Sequence, residues 1–228
     1  MVLHAGAESA TEARAAMEKL CAQYWFPLYV FVRRQGRAHH EAEDCTQEFL
    51  AGLLAADGVA RARRAQGRFR TFLLTALRNF LTNEWHRAQA EKRGGGHAPL
   101  SIDAQDADAR FAHEPADAAL TPDQAFDRSW ANGMIDGAIA ALRAEYEKSG
   151  RGDLFDVLAP LVWGNASPAS LAQHAARLGL KEDAFGVALH RFRRRVGERL
   201  RAAVAETVAE GADIDVELRH LIAAVGQR

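Results

Sequence analysis

The residues best suited to chemistry in this chain are cations and aromatic rings, not nucleophiles. Between Arg61 and Arg93 stand nine basic residues: Arg61, Arg63, Arg64, Arg68, Arg70, Arg78, Arg87, Lys92 and Arg93. Only Glu84 and Glu91 oppose them, for a sum of +7, and Phe72, Phe80 and Trp85 lie among them. Cations hold phosphates and aromatic faces stack on bases, so the stretch suits a nucleic acid. A core helix with a solvated basic face carries the same pattern. A second cluster spans residues 177–201, where eight basic residues against three acidic ones sum to +5. It includes Lys181, His190, Arg191, Arg193, Arg194 and Arg195.

No Ser-His-Asp set, metal cluster or phosphate loop accompanies them, so no catalytic residue, metal or cofactor is expected. His39 and His40 are adjacent, a spacing that turns them to different faces of a helix, and they read as surface residues. Cys21 and Cys45 form neither a disulfide framework nor a zinc site and read as buried free thiols of a reducing cytoplasm.

The elements that must position these residues are helices. Ala, Leu and Arg abound in the 228 residues, with six prolines and three tyrosines. That favours an all-α chain long enough for two small domains and a linker. The stretch from Gly67 to Gly96 reads as one helix. Phe69, Leu73, Ala76, Leu77 and Phe80 form its core face, and Arg70, Arg78, Arg87, Lys92 and Arg93 its other face. The Gly-Gly-Gly at 94–96 ends it. Upstream, Leu20, Tyr24, Leu28 and Phe31 give a first helix that Pro27 kinks or divides. His39 opens a second, with Cys45, Phe49, Leu50, Leu53 and Leu54 buried and Asp44, Gln47, Glu48 and Ala51 together on another face.

The formal net charge of −1 hides segregation, because residues 101–127 sum to −6. That stretch reads as an acidic, flexible linker without stable structure of its own. The expected organisation is a helical domain over 11–95, the linker over 96–121, a second helical domain over 122–208 and a C-terminal extension over 209–228. In the second domain Phe126 to Leu142 gives a helix, and Asp153 caps another that Pro160 shortens. Leu171, Ala175 and Leu178 then make a short helix, Gly179-Leu180 a tight turn, and Phe185, Leu189, Phe192 and Val196 a longer helix. That order is the helix-turn-helix pattern. Leu218, Leu221, Ile222 and Val225 give the extension an apolar stripe, which favours a strut on the second domain over a regulatory handle. No signal peptide and no membrane span are apparent, which points to a cytoplasmic protein.

Three places together resemble the sigma-70 family of RNA polymerase sigma factors, most nearly the two-domain extracytoplasmic-function kind. Asp44-Cys45-Thr46-Gln47-Glu48-Phe49 resembles the D-L-T-Q-E-x-F motif of region two. Phe69-Arg70-Thr71-Phe72-Leu73 through Arg78-Asn79-Phe80 to Arg87 resembles the helix that meets the minus-ten element. Ala172 to Arg195 resembles the region-four helix-turn-helix that meets the minus-thirty-five element.

The resemblance implies that Asp44, Gln47 and Glu48 dock on core RNA polymerase. It implies that Arg61, Arg63, Arg64 and Arg68, with Phe72 and Trp85, help hold an extruded promoter base, while Arg78, Arg87, Lys92 and Arg93 hold phosphates. Lys181, His190, Arg191, Arg193, Arg194 and Arg195 would serve the upstream element. Core polymerase and promoter DNA are the implied partners, an anti-sigma factor or other regulator a further candidate, and a membrane none. The chain departs from the family pattern at His174, Asp183 and Gly186, so promoter affinity is expected to rest more on the first domain. The alternative is a sigma-fold regulator or helix-turn-helix DNA-binding protein that does not itself start transcription.

Overall fold

The computed structural model describes residues 10–55, 68–90, 107–113, 120–164, 167–208 and 211–226; side chains at 10–17, 55, 85–90, 113, 211 and 212 lie outside that description. Regular structure among the described residues is helical, as the composition implies. The chain forms two compact units, one of residues 1–133 with 204–228, the other of 134–203. This differs from the expected division at 95/96 and 121/122.

In the first unit, α1 (Ala10–Arg34) and α2 (His39–Ala55) pack together. Pro27 neither ends nor divides α1. Every residue from Tyr24 to Val32 is buried, and enclosure on all sides outweighs the one backbone hydrogen bond a proline removes. α2 starts where Glu41 reaches back to accept the Ala38 N–H at 3.2 Å. Of its expected stripe, Cys45, Phe49, Leu50 and Leu53 are buried and Leu54 is half-buried. α3 (Phe69–Ala90) follows, with Phe69, Leu73, Leu74, Leu77 and Leu81 inside. Tyr24 meets Phe69 edge-on at 5.3 Å and Phe126 face-to-face at 6.5 Å, which joins α1 and α3 to the start of α5.

The linker needs a correction. Residues 107–113 form a short helix, α4 (Ala107–His113), docked on the first unit. Arg110 lies 3.8 Å above the Phe26 ring, Phe111 meets Tyr29 edge-on at 6.1 Å, and Arg33 pairs with Asp108 at 3.1 Å. Cation–π contact and ring packing supply what seven residues lack in intrinsic helix stability. The remainder of 96–119 lies outside the described residues.

α5 (Pro122–Lys148) opens with a reciprocal cap. The Thr121 N–H donates to Gln124 Oε1 at 2.9 Å, and the Gln124 N–H donates to Thr121 Oγ1 at 3.3 Å. Ala125, Phe126, Ser129, Trp130 and Ala131, all buried, belong to the first unit, not to a separate second domain.

In the second unit, α6 (Gly152–Leu158) runs into a 3-10 turn (Ala159–Leu161) at Pro160. Its N-cap is Arg151, which makes no side-chain cap hydrogen bond; Asp153, two residues on, lies inside the first turn and does not cap it. Tyr146, Phe155 and Phe192 form a triangle of edge-on rings 5.6–5.9 Å apart, the centre of this core. α7 (Pro168–Arg177) and α8 (Glu182–Ala205) complete the unit up to residue 203.

The C-terminal helix α9 (Gly211–Gly226) belongs to the first unit, so the extension is not a strut on the second. Leu221 and Ala224 are buried, while Ile222 is exposed. The chain also closes the start of α3: the Phe69 N–H donates to the Thr207 carbonyl at 3.0 Å beside an antiparallel bridge between Arg68 and Val208.

Candidate nucleic-acid interface

Helical spacing places Asp44, Gln47 and Glu48 together on α2, opposite the buried Phe49 and Leu53. Asp44 is exposed, and Gln47 and Glu48 are partly so. Thr46, within the same motif, is fully buried and its hydroxyl donates to the Ala42 carbonyl at 2.7 Å. The motif therefore divides by face: Cys45, Thr46 and Phe49 hold the helix down, and the acidic and amide groups remain available to a partner.

The basic surface of α3 is narrower than its sequence implies. Arg70 is not on it. This residue is 7 % exposed, and its guanidinium is consumed inside the first unit. Nε donates to Glu217 Oε1 at 2.8 Å and Nη2 to Glu217 Oε2 at 3.4 Å. Nη1 donates to Asp127, and the group lies 5.2 Å from the Trp130 ring centre. Burial opposes the charge, but the Glu217 hydrogen bonds and the Asp127 and Glu217 carboxylates outweigh it, so the pKa of Arg70 rises above its ordinary value. Arg68 lies partly exposed with Nε 3.5 Å from Glu217 Oε2.

Phe72 is half-buried, its ring 6.1 Å from Phe69. Arg78 is exposed, paired with Asp123 and 5.8 Å from the Phe31 ring. With both members of that pair about half exposed (48 % and 51 %), a phosphate can compete for Arg78. The backbone of α3 continues through Trp85 and Arg87, but their side chains, with Arg61, Arg63, Arg64, Lys92 and Arg93, lie outside the described residues.

Sequence reasoning missed what fills the exposed face of α3. Thr71, Thr75, Asn79 and Asn83 stand four residues apart, flanked by Arg78 and Thr82, and all six are exposed. The Thr82 hydroxyl is turned inward, donating to the Arg78 carbonyl at 2.9 Å. Hydroxyls and amides bond phosphate and sugar oxygens and also base edges. The four-residue repeat of Thr and Asn was the available signal; attention to charge hides it.

In the second unit, helix, turn and helix follow the expected order. Ser167 caps α7 by accepting the Ser170 N–H at 3.2 Å, with Pro168 in the first turn. Gly179 has φ 64. The Leu180 N–H bonds the Ala175 carbonyl at 2.9 Å and the Gly179 N–H the Ala176 carbonyl at 3.1 Å. This is the closing pattern that a left-handed residue permits, and glycine adopts it without steric cost. Leu180 and Val187 stand partly exposed on either side of the start of α8. His174 packs face-to-face on Phe185 at 6.2 Å, filling an apolar position with an aromatic ring.

The arginine cluster of α8 splits in two. Arg193 bonds the Leu161 carbonyl through Nε at 3.2 Å and Nη2 at 2.7 Å, and the Gly164 carbonyl at 2.6 Å. Arg195 pairs with Glu145, which also takes Arg199, and lies 5.4 Å from the Tyr146 ring centre. Both serve the packing of this unit. Lys181, His190 and Arg191 are exposed, as is Arg194, which pairs with Glu198 one turn on at 3.3 Å. Asp183 and Ala184 are exposed at the front of the helix, and a Cβ added at Gly186 would meet nothing within 4 Å.

Residues 24–91 match the family model of Sigma-70 region 2. The matched segment is less than a third of the chain and runs from the core of α1 through α2 and α3. It supports a place in the sigma-70 family and leaves the finer class open. No curated protein matches the chain, and no solved structure does. No helix among the described residues is long and apolar enough to cross a membrane.

Proposed function

We propose that this protein is a cytoplasmic sigma factor of the extracytoplasmic-function kind, which binds core RNA polymerase and directs it to promoters. The observation that carries the reading is the coincidence of the Sigma-70 region 2 match with α1–α3, whose outward groups are Asp44, Gln47 and Glu48 on one helix and a Thr/Asn/Arg stripe on another. In this reading the α2 strip docks on the polymerase. α3 holds the minus-ten element, aided by the basic stretch that precedes it in sequence, by Trp85 and Arg87, and by Lys92 and Arg93, which follow it in sequence. α7 and α8 act as the region-four helix-turn-helix, with Lys181, His190, Arg191 and Arg194 toward phosphates.

The polymerase carries out the chemistry and this chain none. Run-off transcription with purified core polymerase and a genomic promoter library tests the reading: promoter-specific transcripts are expected, and their absence would sink it. Asp44→Lys with Glu48→Lys is expected to abolish polymerase capture while helicity holds.

A second reading, a regulator that binds polymerase without initiating, draws on the front of α8. Asp183, Ala184, Phe185 and Gly186 supply only one polar side chain where base edges are usually read. Capture of core polymerase with no transcript from any promoter would favour it.

A further inference from the structure

The matched family segment stops at residue 91, yet the groups that fix the start of α3 lie far beyond it. Glu217 is 147 positions from Arg70 and has no exposed surface. It meets the guanidinium edge-on with both oxygens, while Asp127 takes the other nitrogen and Trp130 covers a face. The second oxygen of Asp127 lies 2.9 Å from His220 Nε2, so α9 holds Arg70 both directly and through Asp127. Thr207, itself buried, supplies the carbonyl that receives the Phe69 N–H. That N–H belongs to the first turn of α3, where no intrahelical acceptor exists.

These contacts set the rotation of α3 about its own axis. Successive residues on a helix point about 100° apart. A turn of one position would replace outward Thr71 and Thr75 with the buried neighbours Arg70 and Leu74. Packing of Leu73 and Leu77 favours the observed rotation, and the Arg70 bonds at the second residue of the helix lock its beginning, beside the stretch 61–68. Arg70 cannot also serve a phosphate, because nitrogens Nε, Nη1 and Nη2 are all committed and the side chain is 8 % exposed.

We propose that the C-terminal segment 204–226 is a working part of the promoter-binding surface: through Glu217 and Thr207 it positions α3, and Arg70 is its anchor, not a DNA ligand. The DNA half of this inference rests on the sigma-factor reading; the positioning half does not.

The test uses the full chain with Glu217→Ala and Glu217→Gln. Amide hydrogen exchange is followed across Phe69–Leu81, with 185–200 in the second unit as the control. Holoenzyme affinity for a fluorescent single-stranded minus-ten oligonucleotide is measured alongside. Removing one partner from a buried charge pair is strongly disruptive, so Glu217→Ala should speed exchange in α3 by at least about tenfold and weaken oligonucleotide binding by a similar factor. Exchange over 185–200 should be unchanged. Glu217→Gln keeps an acceptor and should give the same pattern, reduced in size; it decides the matter if the alanine variant does not fold. Unchanged exchange in α3 overturns the proposal. So does an equal rise in both units, which means general loss of stability, or faster exchange with binding intact. If the wild-type holoenzyme binds no promoter DNA, the sigma-factor reading fails, and the exchange result still decides whether α9 positions α3.

Discussion

Replacing each arginine of α8 in turn should separate two populations that look alike in sequence. Arg193 acts as a cap: three hydrogen bonds run to the carbonyls of Leu161 and Gly164, at and just beyond the end of the 3-10 turn. Those carbonyls carry the partial negative charge of a helix end. Hydrogen bonds from a charged donor contribute about 1.5–3 kcal/mol each in favourable sites. Arg193 is only partly buried and its bonds share acceptors, so Arg193→Ala should cost about 2 kcal/mol in total, read from the urea unfolding midpoint. It should leave the salt dependence of DNA binding nearly unchanged.

Arg191 and Arg194 face solvent, and their loss should do the reverse. If each holds one phosphate, each alanine variant lowers the slope of log K against log salt by about 0.9, at constant urea midpoint. Between 50 and 200 mM salt that is a factor of roughly 3–4 in affinity. Fluorescence anisotropy on a labelled duplex carrying the upstream element reads both quantities. An Arg193→Ala variant of normal stability and reduced slope would show that this side chain leaves its carbonyls for DNA, and the division would be wrong.

Gly186→Ala should stabilise the second unit by roughly 0.5–1 kcal/mol, because the new methyl meets nothing and helix propensity rises; a lower urea midpoint would mean that a glycine is required there. Burial pushes the Cys21 thiol up to about 12 and the Cys45 thiol up to about 11, from 9.0. Neither should react with a disulfide reagent at pH 8 until the protein unfolds, so rapid labelling of native protein would refute their burial. Since the unfolded chain loses these protons first, their contribution is level below pH 9 and falls as pH rises toward 11 and 12. The loss is roughly 1.4 kcal/mol per pH unit per thiol, and alkaline urea titrations of a Cys45→Ala variant should show a shallower decline.

Long apolar periodicities suffice to place the helices that carry the site. Phe49, Leu50 and Leu53 on α2, and Leu73 and Leu77 on α3, are buried where spacing puts them, and Gly179 ends α7 as its type demands. Arg70 is different. Local sequence puts it among cations on a polar face, and only partners 57 and 147 positions away make burial affordable. α4 fails for the same reason: ADARFAH reads as part of an acidic linker until Phe26, Tyr29 and Arg33 are brought against it. The split of the α8 arginines is equally invisible, since a carbonyl acceptor leaves no mark in a sequence. What periodicity cannot supply is the identity of a distant partner, and the corrections at Arg70, at α4 and among the α8 arginines each turn on one.

The discontinuous make-up of the first unit bears on the order in which the chain is made. α3 leaves the ribosome well before α9 exists, and the whole of 134–203 is synthesised in between. The inserted unit, closed by contacts near in sequence, is expected to settle first, and the outer one must wait for a join between its two ends. Until Glu217 emerges, Arg70 has no bidentate partner and the Phe69 amide no carbonyl from Thr207. A chain interrupted before that point presents a basic α3 without its fixed orientation. On the sigma-factor reading proposed above, translation through α9 would be a condition for a finished DNA-facing surface, and products stopped short of it would compete poorly for the polymerase.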